Sequence, residues 1–224
     1  MSDSIRKAKN ASEGIDKLAK RVHQTISDSK VREIVELRKR KFEKLRDSGS
    51  EDDWFSEMCF CILTANSTAR LGIEIQKALG KGCLTLSQED VEALLADHGH
   101  RFARPRADYI CGARSHKSIR SIIESQGDDR NAREWLVENI KGLGFKEGSH
   151  FLRNTGHFDV AILDRHILSL MEEYSLIAEI PKTLTKKRYL EIEAVLEKLA
   201  IKVDIPLGIL DLYLWYMKTG EVLK

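Results

Sequence analysis

Apolar and polar residues alternate with the period of a helix along almost the whole chain. Apolar positions recurring three and four apart predict successive helices at roughly 11–28, 29–47, 52–64, 67–79, 87–96, 107–125, 131–141, 146–154, 161–174, 185–199 and 206–219. Several predicted starts carry capping chemistry: Ser87 precedes Glu89 and Asp90, and Thr185 opens a similar run. β-Branched alternation is scarce, and only Pro105, Pro181 and Pro206 interrupt the chain. The fold class read from this pattern is all-α, with no repeat or low-complexity tract. A length of 224 residues suits a single compact unit, 1–224, made of two lobes. The expected division is a central helical lobe over 50–160, carrying a hairpin at 131–154, and a second helical lobe formed by 1–49 with 161–224.

Composition narrows the class. An apolar content of 42% supports a real core, while a net charge of only +2 excludes a polybasic protein. Any nucleic-acid face must therefore come from uneven placement of charge. No apolar run approaches a membrane span, and Met1–Lys7 lacks the apolar centre of a leader. The expectation is an intracellular protein of the cytoplasm or nucleoid with no membrane partner. Cys59, Cys61, Cys83 and Cys111 fit a reducing compartment, and Cys59 and Cys61 read as small buried hydrophobes within Met58–Leu63. No cysteine cluster suits an iron–sulfur centre. His98, His100 and His166 lack the i, i+4 pairing of a helical metal site, so no metal is expected, and no cofactor is expected either. The basic run Arg38–Lys41 lies among Val31, Ile34, Val35, Leu37, Phe42 and Leu45 at helical spacing, which reads as the solvated face of an amphipathic helix.

The chemistry concentrates at Gly142-Leu143-Gly144-Phe145-Lys146, with Asp164 eighteen residues beyond the lysine. Gly142 and Gly144 permit backbone angles that side chains forbid and leave peptide N–H groups uncovered at the head of a helix. Such a helix start binds phosphate without reading sequence. A Gly-x-Gly turn alone is a common helix connection; with Lys146 and Asp164 it becomes specific. Lys146 stands where a phosphate-anchored strand presents its sugar. Its amine can attack the anomeric carbon and form a Schiff base, or it can simply contact phosphate. Asp164, amid Val160–Leu168, can stabilise positive charge on the sugar, cap the next helix, or do both.

Together with Ile62–Arg70, the basic segment Arg101–Arg104, Ser149–Asn154, Ala161–His166 and the tail Trp215–Lys224, these residues resemble the helix-hairpin-helix superfamily of DNA glycosylases. The chain is most similar to the compact archaeal-type (type 2) 8-oxoguanine DNA glycosylase/AP lyase family. The resemblance implies a two-lobed helix-hairpin-helix glycosylase fold with a central DNA-binding cleft, with Lys146 as nucleophile and Asp164 as activating carboxylate. It implies double-stranded DNA containing 8-oxoguanine as partner, and a monomer suffices for the chemistry.

A flipped base needs a pocket. The resemblance suggests that Trp215 stacks on the purine, the alternative being a core tryptophan. His150 lies one turn after Lys146 and can line the opposite wall. Asp211, one turn before Trp215, can accept from the guanine N1 and N2 edge. The resemblance gives Lys224 a role through its carboxylate; a frayed tail is the plainer reading. Asn66 is a candidate to fill the gap left in the duplex, or a helix cap. From Arg101 to Arg120 six basic residues face one acid, Asp108, so Arg104 and Arg106 around Pro105 are candidate phosphate contacts, or a solvated loop. The reading is a bifunctional glycosylase/AP lyase. The alternatives are a glycosylase for another damaged base and a non-catalytic hairpin module.

Overall fold

The computed structural model describes residues 3–224, with side chains described from residue 11 onward. Met1–Lys7, on which the leader reading rests, lies wholly outside the described side chains. Every regular element among the described residues is helical: α1 (Asp3–Ser27), α2 (Ser29–Ser48), α3 (Glu51–Thr64), α4 (Ala69–Leu79), α5 (Gly82–Thr85), α6 (Gln88–Asp97), α7 (Ala103–Ala113), a 3₁₀ turn (Arg114–His116), α8 (Ile119–Glu124), α9 (Asp129–Asn139), α10 (Phe145–Asn154), α11 (Arg165–Glu173), α12 (Lys186–Val203) and α13 (Leu207–Thr219). None is long and apolar enough to cross a membrane. The chain forms two compact units, one of Met1–Lys39 with Phe158–Val222 and one of Arg40–His157 with Leu223–Lys224.

The second of these units is built around α3. That helix is apolar on nearly every side, so it must lie in the interior, and Trp54 through Thr64 are buried apart from Ser56. Its start is fixed by a reciprocal capping box. Ser50 Oγ accepts from Asp53 N at 3.2 Å, and Asp53 Oδ2 accepts from Ser50 N at 2.9 Å. The Ser50 hydroxyl and amide hold the Asp53 carboxyl below its usual pKa. The indole of Trp54 donates to Leu45 O at 3.0 Å and meets the edge of Phe151 from α10 at 6.0 Å. The four cysteines are free thiols, and Cys59, Cys61 and Cys83 are buried.

The other unit packs α1, α11, α12 and α13 around Leu18, Val22, Ile167, Met171, Ile192, Leu199 and Leu210. Here the structure corrects the predicted helix over 161–174, because α11 begins only at Arg165. Residues Val160–Leu163 are buried but irregular. Their backbone polar groups are met by side chains of α12. Ala161 N donates to Glu193 Oε1 at 2.8 Å, Tyr189 Oη donates to Ala161 O at 2.7 Å, and Leu163 N donates to Tyr189 Oη at 3.2 Å. An apolar segment can stay non-helical in a core when such partners exist.

The predicted helix over 107–125 is also corrected. α7 starts earlier, at Ala103, with Pro105 in its first turn, where no amide is needed. It ends at Ala113, because Arg114–Ser118 offers no apolar face. Arg114 instead turns aside to donate from Nε to Cys83 O at 2.9 Å, and Ile119 and Ile123 restart burial in α8.

Candidate active site

The turn between α9 and α10 is shaped by its glycines. Gly142 has φ of 97°, a conformation that side chains rarely adopt, and a β-carbon there would lie 2.5 Å from Tyr109 Cδ2. Leu143 N closes the turn on Ile140 O at 3.1 Å, and the buried Leu143 and Ile140 side chains anchor it. Gly144 is the N-cap of α10 and supplies no side-chain cap, so the first turn of that helix is left for an outside acceptor. The first helical bond runs from Gly148 N to Gly144 O at 2.8 Å. The exposed Lys141 beside the turn pairs with Asp108 at 2.9 Å, and that carboxylate raises its pKa.

Lys146 lies in this first turn. Its side chain is 26% exposed, with the Glu147 carboxylate 3.7 Å from Nζ. Lys146, His150 and Asn154 follow at four-residue spacing along one stripe of α10. His150 is buried, meets Phe60 edge-on at 5.5 Å, and has no hydrogen-bond partner at either ring nitrogen. Burial first, then the positive charges of Arg153, Lys146 and Lys224, holds its pKa well below the usual imidazole value. The Lys224 main chain opposes this shift without reaching hydrogen-bond geometry. The ring is therefore a neutral group at physiological pH.

Lys224 does not dangle. Its ammonium donates to Glu57 Oε2 at 2.7 Å and to Gln76 Oε1 at 2.6 Å, and sits 4.2 Å from the centroid of the Phe60 ring. The sequence reading looked to the carboxylate of this residue; the side chain is what the fold grips. Glu57, Gln76 and Phe60 escaped that reading. The signal was present, because Glu57 is the one acid within the apolar run Trp54–Thr64, and a buried carboxylate demands partners.

In the unit that contains α11, Asp164 is the N-cap of that helix. Its Oδ1 accepts from His166 N and Ile167 N, both at 2.8 Å. No described donor engages Oδ2. The cap fixes the direction of the carboxylate and leaves one oxygen available. Trp215 on α13 is partly exposed and meets the His166 ring edge-on at 6.0 Å, so it is not a core tryptophan. Asp211 is buried beside a void of about 10 Å³ lined by Ala161, Ile162, Leu207 and Leu214, roughly the space of one water.

The basic segment splits in two. Arg104 is exposed. Arg106, expected to face phosphate, is instead buried, and its Nη2 donates to Ala65 O at 2.7 Å. Burial lowers its pKa, and its guanidinium lies 5.5 Å from the Tyr109 ring centroid. His100 holds the same loop. Its Nδ1 accepts from Phe102 N at 3.2 Å, so Nε2 carries the proton and donates to Leu63 O at 3.0 Å. Just after these two gripped carbonyls Asn66 stands exposed with φ of 59°. It does not cap α4, because Thr68 does so by accepting from Leu71 N.

Sequence and structure comparisons group the chain with a known family. The profile of a family described as 8-oxoguanine DNA glycosylase matches residues 35–205. The 8-oxoguanine DNA glycosylase/AP lyase of Methanocaldococcus jannaschii is 50% identical over 207 residues, covering 92% of this chain and 99% of that protein. The protein of the same name from Korarchaeum cryptofilum is 50% identical over 212 residues, covering 94% and 100%. A crystal structure of the M. jannaschii 8-oxoguanine glycosylase/lyase with a 15mer DNA containing 8-oxoguanine matches with a TM-score of 0.89, covering 92% of this chain and 99% of that one. The 8-oxoguanine DNA glycosylase of Thermotoga maritima matches with a TM-score of 0.88 at 43% identity, covering 94% and 100%.

Proposed function

The chain belongs to the 8-oxoguanine DNA glycosylase family, and from this premise we propose that it excises 8-oxoguanine from double-stranded DNA and then cleaves the strand. The observation that carries the reading is the uncapped, glycine-started α10 with Lys146 in its first turn. Peptide N–H groups and a helix dipole there hold a phosphate, and the amine two residues into the helix meets the adjoining sugar.

The reaction has two stages. Lys146 Nζ, as the free amine, bonds to C1′ while the C1′–N9 bond breaks and the base departs with the electron pair and a proton. Asp164 Oδ2 supplies negative charge as the sugar becomes cationic. Of the two amine protons one passes to the departing base and the other to O4′ as the C1′–O4′ bond breaks, which opens the sugar ring and leaves an imine between Nζ and C1′. Loss of a C2′ proton then expels the 3′ phosphate by β-elimination, cleaving the strand 3′ to the lesion. Trp215, His150, Asp211 and Lys224 form the base-recognition group, with Trp215 stacking on the purine. A neutral His150 offers an acceptor as well as a donor. Gly142 and Gly144 grip the backbone, Asn66 fills the vacated position in the duplex, and Arg104 adds a phosphate contact. The chemistry needs only one copy of the chain.

A panel of duplexes, each carrying 8-oxoguanine, 8-oxoadenine, thymine glycol or adenine opposite 8-oxoguanine, tests the substrate. Free 8-oxoguanine should appear by mass spectrometry with matching strand cleavage. Release of a different base with 8-oxoguanine left in place would overturn the assignment.

A further inference from the structure

Glu57 is a buried carboxylate that the reaction described above does not use. It lies in the middle of α3, 6% exposed. Its two oxygens are divided between two parts of the unit. Oε1 accepts from Asn154 Nδ2 at 2.6 Å. Oε2 accepts from Lys224 Nζ at 2.7 Å and from Gln76 Nε2 at 3.1 Å. Gln76 completes the ring of contacts, since its Oε1 accepts from Lys224 Nζ at 2.6 Å while its Nε2 also donates to Ser56 O at 3.0 Å. Asn154 is itself oriented by Arg153 Nε, which donates to its Oδ1 at 2.8 Å.

The geometry has a direction. Asn154 lies on the α10 stripe of Lys146 and His150, and Lys224 rests on the Phe60 ring whose neighbour is His150. Glu57 thus ties Lys224 to the helix that carries the amine. All three donors aimed at Glu57 require acceptors, and only a carboxylate offers acceptors on both sides. A glutamine there could satisfy Asn154 with its oxygen only by turning its NH₂ toward Lys224 and Gln76.

We propose that Glu57 is the positioning residue for Lys224, assisted by Gln76, and that this clamp governs release of the base but not cleavage of an abasic strand. The proposal rests on the reading of the chain as an 8-oxoguanine glycosylase with Lys224 at the base. It follows that a base-free substrate should not register the clamp, because the group that Lys224 recognises is already gone.

The test is a set of single-turnover rates on two duplexes, one with 8-oxoguanine and one with a preformed abasic site, for the wild type, Glu57→Gln, Lys224→Met and the double variant. Glu57→Gln and Lys224→Met should each slow 8-oxoguanine release by about tenfold or more, the scale of a lost hydrogen bond to a charged group. Abasic cleavage by Glu57→Gln should stay within about twofold of wild type. The double variant should be no more than about twofold slower than the slower single variant, since both act through one contact. Equal losses on both duplexes, additive losses in the double variant, or no loss in Glu57→Gln would each overturn the clamp. Gln76→Met keeps the Glu57–Lys224 pair and removes one acceptor of Lys224 together with one donor to Glu57. It should show a smaller loss confined to 8-oxoguanine, and it decides the matter should Glu57→Gln unfold at the assay temperature. A wild-type protein that cleaves abasic DNA but leaves 8-oxoguanine in place would instead remove the underlying substrate reading.

Discussion

Replacing Gly142 with alanine strains the hairpin in two ways that can be separated. The backbone at this position has φ of 97°, and a β-carbon would lie 2.5 Å from Tyr109 Cδ2 and 3.2 Å from Cε2 and Cγ. The Arg106 guanidinium packs 5.5 Å and the Lys141 ammonium 5.1 Å from the centroid of that ring, so a retreating ring must part from these neighbours. A left-handed conformation costs a side-chain-bearing residue about 1–2 kcal/mol, and overpacking adds about 1–3 kcal/mol. At about 3 °C per kcal/mol for a chain of this size, the sum lowers Tm by about 10 °C. Thermal unfolding of Gly142→Ala, Tyr109→Ala and the double variant measures the two parts. The double variant should be more stable than the sum of the single losses by about 1–3 kcal/mol, because the clash vanishes and only the backbone term remains. Gly144→Ala is the control. Gly144 has no positive φ, and its β-carbon would meet only the far end of the Glu147 side chain, Oε2, at 3.3 Å. Its Tm should fall by less than about 3 °C, while affinity for duplex DNA, read by fluorescence anisotropy, drops with the lost phosphate approach. A Gly142→Ala Tm within about 2 °C of wild type, or strictly additive single losses, would refute this account of the turn.

Other substitutions divide along the same lines. Asp164→Asn keeps a side-chain oxygen for His166 N and Ile167 N, so Tm should hold within about 2 °C while base release falls about 100-fold or more. Asp164→Ala should lose activity and about 1 kcal/mol of stability together; an active Asn variant would show that the carboxylate acts only as a cap. Arg104→Gln should weaken DNA binding and reduce the salt slope by about one with no change in Tm. Arg106→Gln should lower stability by about 1.5–3 kcal/mol through the lost bond to Ala65 O, and a purely salt-dependent binding defect there would return Arg106 to the phosphate-contact role. For His150, the unfolded imidazole takes up a proton as pH falls through about 6.5, whereas the folded ring stays neutral. The unfolded state then binds more protons, so stability present above that pH is lost below it, approaching about 1.4 kcal/mol per unit. His150→Phe should flatten the Tm curve between pH 6.5 and 5, and an unchanged slope would assign the dependence to other groups.

The sequence made the helical class and the hairpin legible because both rest on local signals. Period, capping residues and the pair Gly142 and Gly144 act over a few residues each. It misread 161–164 as helix because the reason that segment stays irregular lies nearly thirty residues away, in Tyr189 and Glu193. It treated Arg104 and Arg106 alike because charge counting cannot tell an exposed arginine from one turned inward onto Ala65 O. The grip on Lys224 was invisible for the same reason. It joins residues 57, 76, 154 and 224, and nothing local announces the pairing beyond a single acid in an apolar helix.

The proposed chemistry turns on a bond between the amine of Lys146 and the sugar of a nucleotide bearing 8-oxoguanine. Borohydride reduction during reaction with a duplex carrying one 8-oxoguanine tests it directly, since reduction fixes an imine as a stable protein–DNA adduct. The wild type should give that adduct, with the modified peptide mapping to Lys146, and Lys146→Gln should bind the duplex and give none. An adduct of equal yield from Lys146→Gln, or release of the base by wild type with no trapped species, would contradict the account.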